Sequence, residues 1–142
     1  TYFIFGPSPA LFEYCELHSK RDSYITAAST PKEVEFGYVF KNCKLTAAPG
    51  VKKVYLGRPW RPYAATVFIN CEFGNHIRPE GWHNWRNPEN EKTARYAEFG
   101  NTGAGADTSG RVAWAKQLTN KEAMKYTPQN IFKESSNWYP YK

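Results

Sequence analysis

Aspartate and glutamine are scarce in this sequence of 142 residues, with only Asp22, Asp107, Gln117 and Gln129 to represent them. Two scattered aspartates exclude a cation site built on clustered Asp carboxylates. Cysteine is limited to three residues without a Cys-x-x-Cys pair, so the spacing of a thiolate zinc site is missing. No apolar run reaches the roughly 18 residues that a membrane-spanning helix needs. The glycine-rich stretch Gly100-Asn101-Thr102-Gly103-Ala104-Gly105-Ala106 is not followed by Gly-Lys-Ser/Thr, which excludes a phosphate loop. His76, Glu80 and His83 sit in a loop and not at i, i+4 on a helix, so the zinc-protease pattern fails and a solvated loop is expected.

What the chain has in abundance is aromatic and basic side chains. Five Trp, ten Tyr and nine Phe make up 17% of it, which argues against disorder and suits a strand-rich core or a carbohydrate cleft. The net charge of +6 points to an anionic partner. The length suggests one domain, large enough to hide about two thirds of its unfolded surface. The opening Thr1-Tyr2-Phe3-Ile4-Phe5-Gly6 reads as the middle of a strand. The expectation is therefore a cut edge, with either missing N-terminal coils or self-association at the open end.

An internal repeat sets the architecture. Phe12-Glu13-Tyr14-Cys15-Glu16-Leu17, Phe40-Lys41-Asn42-Cys43-Lys44-Leu45 and Phe68-Ile69-Asn70-Cys71-Glu72-Phe73 share the pattern Phe-x-x-Cys-x-apolar at a step of 28 residues. Tyr96-Ala97-Glu98-Phe99 reads as a weaker fourth copy. Ser23–Ala27 and Lys53–Gly57 add strand-like pieces between copies, with Gly, Pro and Asn as punctuation. Helical periodicity is missing, so a β-solenoid is expected, each turn giving two or three strands. Cys15, Cys43 and Cys71 should then form a column of stacked, reduced thiols. Thr119-Asn120-Lys121-Glu122 is a capping box that should open a short helix through Tyr126, laid on the outer wall as a flap.

Five strings resemble one family. Phe3-Ile4-Phe5-Gly6, Leu56-Gly57-Arg58-Pro59-Trp60, Ile77-Arg78-Pro79-Glu80-Gly81-Trp82, Tyr96–Phe99 and Gly103–Ala106 occur in the order found in pectin methylesterases (pectinesterases). The resemblance implies that residues 1–142 are the C-terminal part of one all-β domain, a right-handed parallel β-helix with a short C-terminal helix and loop outside. It implies hydrolysis of the C6 methyl esters of galacturonate in pectin, without metal or organic cofactor, in a secreted, periplasmic or cell-surface setting. Arg58-Pro59-Trp60-Arg61-Pro62-Tyr63 and Trp82-His83-Asn84-Trp85 look more bacterial than plant-like.

Carried over residue by residue, Arg58 matches the arginine that pairs with a nucleophilic Asp, a task suited to an always-charged fork. Trp60 and Trp82 match aromatics lining the cleft, and Phe3 is expected beside them. The family's nucleophile strand begins with Asp, and Tyr2 stands in that place here. A phenol is protonated at neutral pH and substitutes poorly for a carboxylate nucleophile. The family's acid Asp and oxyanion Gln belong to segments upstream of these residues. The partner expected is pectin, not nucleic acid or a membrane, although Trp82, Trp85 and Arg86 could also serve as a base-stacking surface. The alternative reading is a β-helix that binds polygalacturonate without cleaving the ester. A lyase on the same fold is disfavoured by the lack of clustered Asp.

Overall fold

A computed structural model describes residues 2–133. Eleven short strands form three parallel sheets that run along the faces of a β-helix. One sheet joins β1 (Ile4–Gly6), β4 (Tyr24–Ala28) and β7 (Tyr55–Gly57). The second joins β2 (Ala10–Glu13), β5 (Tyr38–Lys41), β8 (Ala65–Ile69), β10 (Arg95–Phe99) and β11 (Lys116–Gln117). The third joins β3 (Glu16–Ser19), β6 (Lys44–Ala47) and β9 (Glu72–Phe73).

The 28-residue step is the coil length. Phe12 pairs with Phe40 and Phe40 with Phe68 across β2, β5 and β8. Their rings stack face to face at 4.9 and 4.5 Å, tilted by 12° and 8°. Parallel pairing forces identical residues into register, so one aromatic per coil becomes a continuous apolar column. Fully burying each such side chain contributes about 1.5–3 kcal/mol.

The corner after this sheet is also a ladder. Tyr14, Asn42, Asn70 and Gly100 all take left-handed backbone angles, with φ of 56°, 57°, 53° and 65°. Asparagine and glycine tolerate that region better than other residues. The bend turns the chain from the second sheet into the third, and it places Cys15, Cys43 and Cys71 next in line. All three thiols are free; Cys43 and Cys71 are buried and Cys15 is half-buried in the first coil. Cys43 Sγ donates to the Phe12 carbonyl at 3.4 Å, and Cys71 Sγ to the Phe40 carbonyl at 3.5 Å. Hydrogen bonding to Cys43 and burial push the Cys71 thiol up.

The fourth copy differs from its sequence reading in register. Glu98, not Tyr96, pairs with Phe68, because the last step is 30 residues. A carboxylate thus stands where the phenylalanine column would continue. In the cysteine position stands Asn101, whose Oδ1 accepts the Cys71 N–H at 2.7 Å while its Nδ2 donates to the Phe68 carbonyl at 3.1 Å. The side-chain amide thus satisfies two backbone groups at the corner.

The described part of the tail, up to residue 133, forms two helices of one turn each. The capping box forms, with Thr119 Oγ1 accepting from Glu122 N–H and Glu122 Oε1 accepting from Thr119 N–H. The helix α1 (Asn120–Ala123) ends earlier than Tyr126, and α2 (Pro128–Ile131) follows. Ala123 and Ile131 bury themselves on Phe36, Val39, Val67, Ile69 and Ala97 of the outer wall.

Candidate active site

The register of the first sheet stacks a row of aromatics on its outer face. Ile4 pairs with Thr26, so Tyr2 stacks near Tyr24, with ring centroids 6.0 Å apart. Tyr24 in turn stacks on Tyr55 at 5.2 Å, with the rings nearly parallel. This tyrosine row lies on the outside of the helix. Phe3, at the bend before β1, points the other way: half exposed at the first coil, its ring meets Phe12 and Phe40 of the phenylalanine column at 5.3 and 6.3 Å. The expectation that Phe3 lines the cleft is therefore corrected. Phe5 takes that place, edge-on to Trp60 at 5.9 Å.

Arg58 follows β7 directly and reaches across the tyrosine row. Its Nε donates to Tyr2 Oη at 2.9 Å, and Nη2 donates to the same oxygen. The guanidinium carbon lies 3.9 Å from the Tyr24 ring centroid and 4.0 Å from that of Trp85. A flat, weakly hydrated cation suits such packing, and each contact contributes about 0.5–2 kcal/mol depending on exposure. Tyr2, Arg58 and Trp60 thus share one face, and Arg58 binds the oxygen of the residue at the expected nucleophile position.

Trp82 does not share that face. It is 1% exposed, stacks on Tyr96 at 4.2 Å and donates its indole N–H to Glu98 Oε2 at 3.3 Å. The cause is Gly57, which bridges to Trp82 in the next coil. A Cβ on Gly57 would sit 3.2 Å from the Trp82 ring, so the glycine clears the space that the indole fills. Trp85, three residues later, is the second tryptophan at the cleft. Tyr2, Phe5, Ala27, Trp60 and Trp85 surround a depression of about 310 Å³.

Sequence reasoning missed Phe5 and Tyr24 at the candidate site, and it named Trp85 only as part of a stacking surface with Trp82 and Arg86. The signals were faint. Tyr24 lies 22 residues after Tyr2, which is the offset of the β1–β4 register. The choice between Trp82 and Trp85 depended on knowing that Gly57 opposes the former.

The surroundings are cationic. Burial, then Arg58, Arg86 and Arg78, hold the His83 imidazole below its ordinary range. Arg78 lies over the Tyr55 ring at 4.8 Å and Arg61 over Trp60 at 5.4 Å. A flat anionic ligand fits such a surface better than a neutral or cationic one. A larger cavity of about 450 Å³ between the tail and the second sheet mixes Arg95, Lys116 and Lys125 with Glu35 and Glu122. Its arginine, Arg95, is committed to the backbone carbonyls of Tyr63, Val34 and Pro31.

His76 departs from the solvated loop expected of it. It is 2% exposed, and its Nε2 has no hydrogen-bond partner. Among the described residues, no group of three His, Cys, Asp or Glu side chains is placed to hold a metal ion.

The family model for pectinesterase matches residues 1–135. Pectinesterase 31 of Arabidopsis thaliana is 43% identical over 122 residues, which cover 85% of this chain and 38% of that protein. The solved pectin methylesterase from carrot superposes with a TM-score of 0.85 at 33% identity, covering 96% of this chain and 47% of that one. A pectin methylesterase crystallised in complex with a hexasaccharide superposes with a TM-score of 0.78 at 30% identity, over 97% of this chain and 48% of its own. The chain spans less than half the length of these relatives. The Erwinia chrysanthemi enzyme, at 30% identity and a TM-score of 0.78, is no nearer than the carrot one, so the bacterial leaning of the sequence strings gains no support.

Proposed function

Because the chain belongs to the pectinesterase family, we propose that it forms the C-terminal part of an enzyme that hydrolyses galacturonate methyl esters in pectin. The depression beside Arg58 is proposed to receive the polymer. The observation that carries this reading is the position of Arg58, with two N–H groups on Tyr2 Oη and two aromatic rings against its guanidinium.

The chemistry asks for a carboxylate at position 2. Its oxygen would attack the ester carbonyl, the C–O bond to the methyl group's oxygen would break, and a general acid would give that oxygen its proton, releasing methanol. Water would then cleave the acyl-enzyme to leave the galacturonate carboxylate. Arg58 would hold the attacking group in place through its fork. Trp60, Trp85 and Phe5 would offer flat faces to sugar rings, and the surrounding arginines would favour a polymer that gains negative charge with each turnover. Pectin lies outside the plasma membrane, so the proposed setting is secreted, periplasmic or cell-surface.

Tyr2 provides the oxygen that Arg58 binds, but not the carboxylate. The chain carrying Tyr2 is therefore expected to bind polygalacturonate without releasing methanol from methylated pectin. Tyr2→Asp, made in a protein that also holds the family's upstream acid and glutamines, should raise methanol release by orders of magnitude. No gain on that substitution would show that position 2 is not where attack begins.

A further inference from the structure

The loop that carries Trp85 is held by two consecutive side-chain turns. His83 Nδ1 accepts the Trp85 N–H at 3.0 Å, and Asn84 Oδ1 accepts the Arg86 N–H at 2.9 Å. Asn84 is itself tied down, its Nδ2 donating to Glu91 Oε2 and its carbonyl accepting from Asn90 Nδ2. Trp85 and Arg86 pay for this turn with left-handed angles, φ 62° and 56°, that neither residue type favours. Two adjacent residues in that region persist only when their surroundings over-determine them. The product of the strain is the position of the Trp85 ring, 4.0 Å from the Arg58 guanidinium carbon.

An imidazole nitrogen accepts a hydrogen bond only when it carries no proton. The Trp85 contact therefore requires neutral His83 with its proton on Nε2. The ring sits edge-on to Tyr24 and Tyr55, at 5.7 and 5.2 Å. The charges that bear on it are Arg58 after β7, Arg78 before the turn and Arg86 within it, all positive; Glu80 bears on Tyr55 instead. A proton arriving at Nδ1 would turn the acceptor into a donor facing the Trp85 N–H.

We propose that His83 is a positioning residue for the cleft: neutral, it keeps the Trp85 turn closed and the indole on Arg58, and protonated, it releases both. His83 touches no reacting atom in this scheme. Its influence passes through Trp85 to Arg58, and through Arg58 to whatever occupies position 2. The functional half of the proposal rests on reading the depression as a pectin site; the loop movement does not.

The test uses the 142-residue chain labelled with 5-fluorotryptophan, with the Trp85 resonance assigned by Trp85→Phe. In the wild type that resonance should titrate over a single-proton interval whose midpoint lies below the ordinary imidazole value. His83→Asn keeps a side-chain oxygen two residues before the Trp85 N–H but does not ionise, so the titration should vanish. His83→Ala removes the acceptor and should place the resonance at its acid position throughout. A Trp85 signal that does not move with pH, or that titrates unchanged in His83→Asn, overturns the proposal. Polygalacturonate binding by the wild type should weaken about two- to fivefold across the same interval, as one cation–aromatic contact is lost, and by less in His83→Asn. If Trp85 titrates through His83 but polygalacturonate binds at no pH, the pectin reading fails and the loop switch stands. Binding that is indifferent to pH while Trp85 titrates overturns the functional half alone.

Discussion

Glu98 and Arg111 meet inside the solenoid, with Nε 2.9 Å from Oε2 and side chains only 1% and 3% exposed. The second N–H of the fork, from Nη2, reaches Oε1 at 3.0 Å, and the same guanidinium donates to the carbonyls of Pro79 and Gly105. This knot closes the end of the phenylalanine column and ties the loop before Trp82 to the loop after β10.

Removing one partner leaves the other buried and uncompensated. Glu98→Ala is expected to destabilise the fold by about 3–5 kcal/mol, read as a lower urea midpoint. Glu98→Leu combined with Arg111→Met should recover only part of that loss, because the carbonyls of Pro79 and Gly105 lose their donor.

Arg58→Lys keeps the charge but loses the fork and the flat face. Two aromatic contacts and a paired hydrogen bond disappear, a loss of about 1–2 kcal/mol from the aromatic contacts alone. Polygalacturonate affinity should fall about five- to thirtyfold by titration calorimetry. An unchanged affinity would place the polymer elsewhere on the molecule.

The three thiols should report the coil stack directly. Cys15, half-buried, is expected to react with iodoacetamide in the native protein, whereas Cys43 and Cys71, at 2% and 1% exposure, should react only on unfolding. Peptide mass spectrometry after a timed pulse would give the order. Simultaneous labelling of all three would mean that the middle coils open as readily as the first.

Much of the fold was legible because a parallel solenoid writes itself in the sequence at one residue per coil. The Phe12, Phe40 and Phe68 column and the thiols beside it could be read from spacing alone. The fourth coil could not, since its step changes to 30 and an ion pair replaces the aromatic, and Arg111 lies outside any repeat. At the candidate site, the shared placement of Arg58 and Trp60 beside Tyr2 was legible from one diagnostic string. Phe3 and Trp82 were misplaced because inward or outward direction depends on register against a neighbouring coil. Gly57 decides it for Trp82, and the bend at Phe3 just before β1 decides it for Phe3, whose ring joins Phe12 and Phe40 while Phe5 faces Trp60.

His76 gives a pH dependence of defined sign. Burial, and secondarily His18, lower its affinity for protons in the folded state. The unfolded chain thus binds more protons below about pH 6.5, and stability should rise with pH up to that value and fall as the medium is acidified through the lowered folded value. Urea midpoints measured from about pH 4.5 to about pH 8 should show this slope, with His83 adding to it in the same direction. His76→Leu should flatten it without abolishing it. A slope of opposite sign would mean that His76 is charged in the native protein.

Gly57 links the core to the cleft, and its replacement should damage both. A Cβ there would lie 2.1 Å from Thr26 Oγ1 and 3.2 Å from the Trp82 ring. Neither neighbour has room to retreat: Thr26 is fully buried and donates to the Leu56 carbonyl at 3.0 Å, and Trp82 is stacked on Tyr96. Overpacking of this kind destabilises by about 1–3 kcal/mol. Arg58 is the next residue, and its N–H donates to the Thr26 carbonyl, so a shifted strand carries the guanidinium with it. Gly57→Ala should therefore lower both the urea midpoint and the affinity for polygalacturonate. Thr26→Ala removes the closest clashing atom. If the clash is the cause, the double variant should be more stable than Gly57→Ala alone, although Thr26→Ala by itself loses a buried hydrogen bond and destabilises. Additive losses in the two variants would show that the crowding seen at Gly57 is not what limits the site.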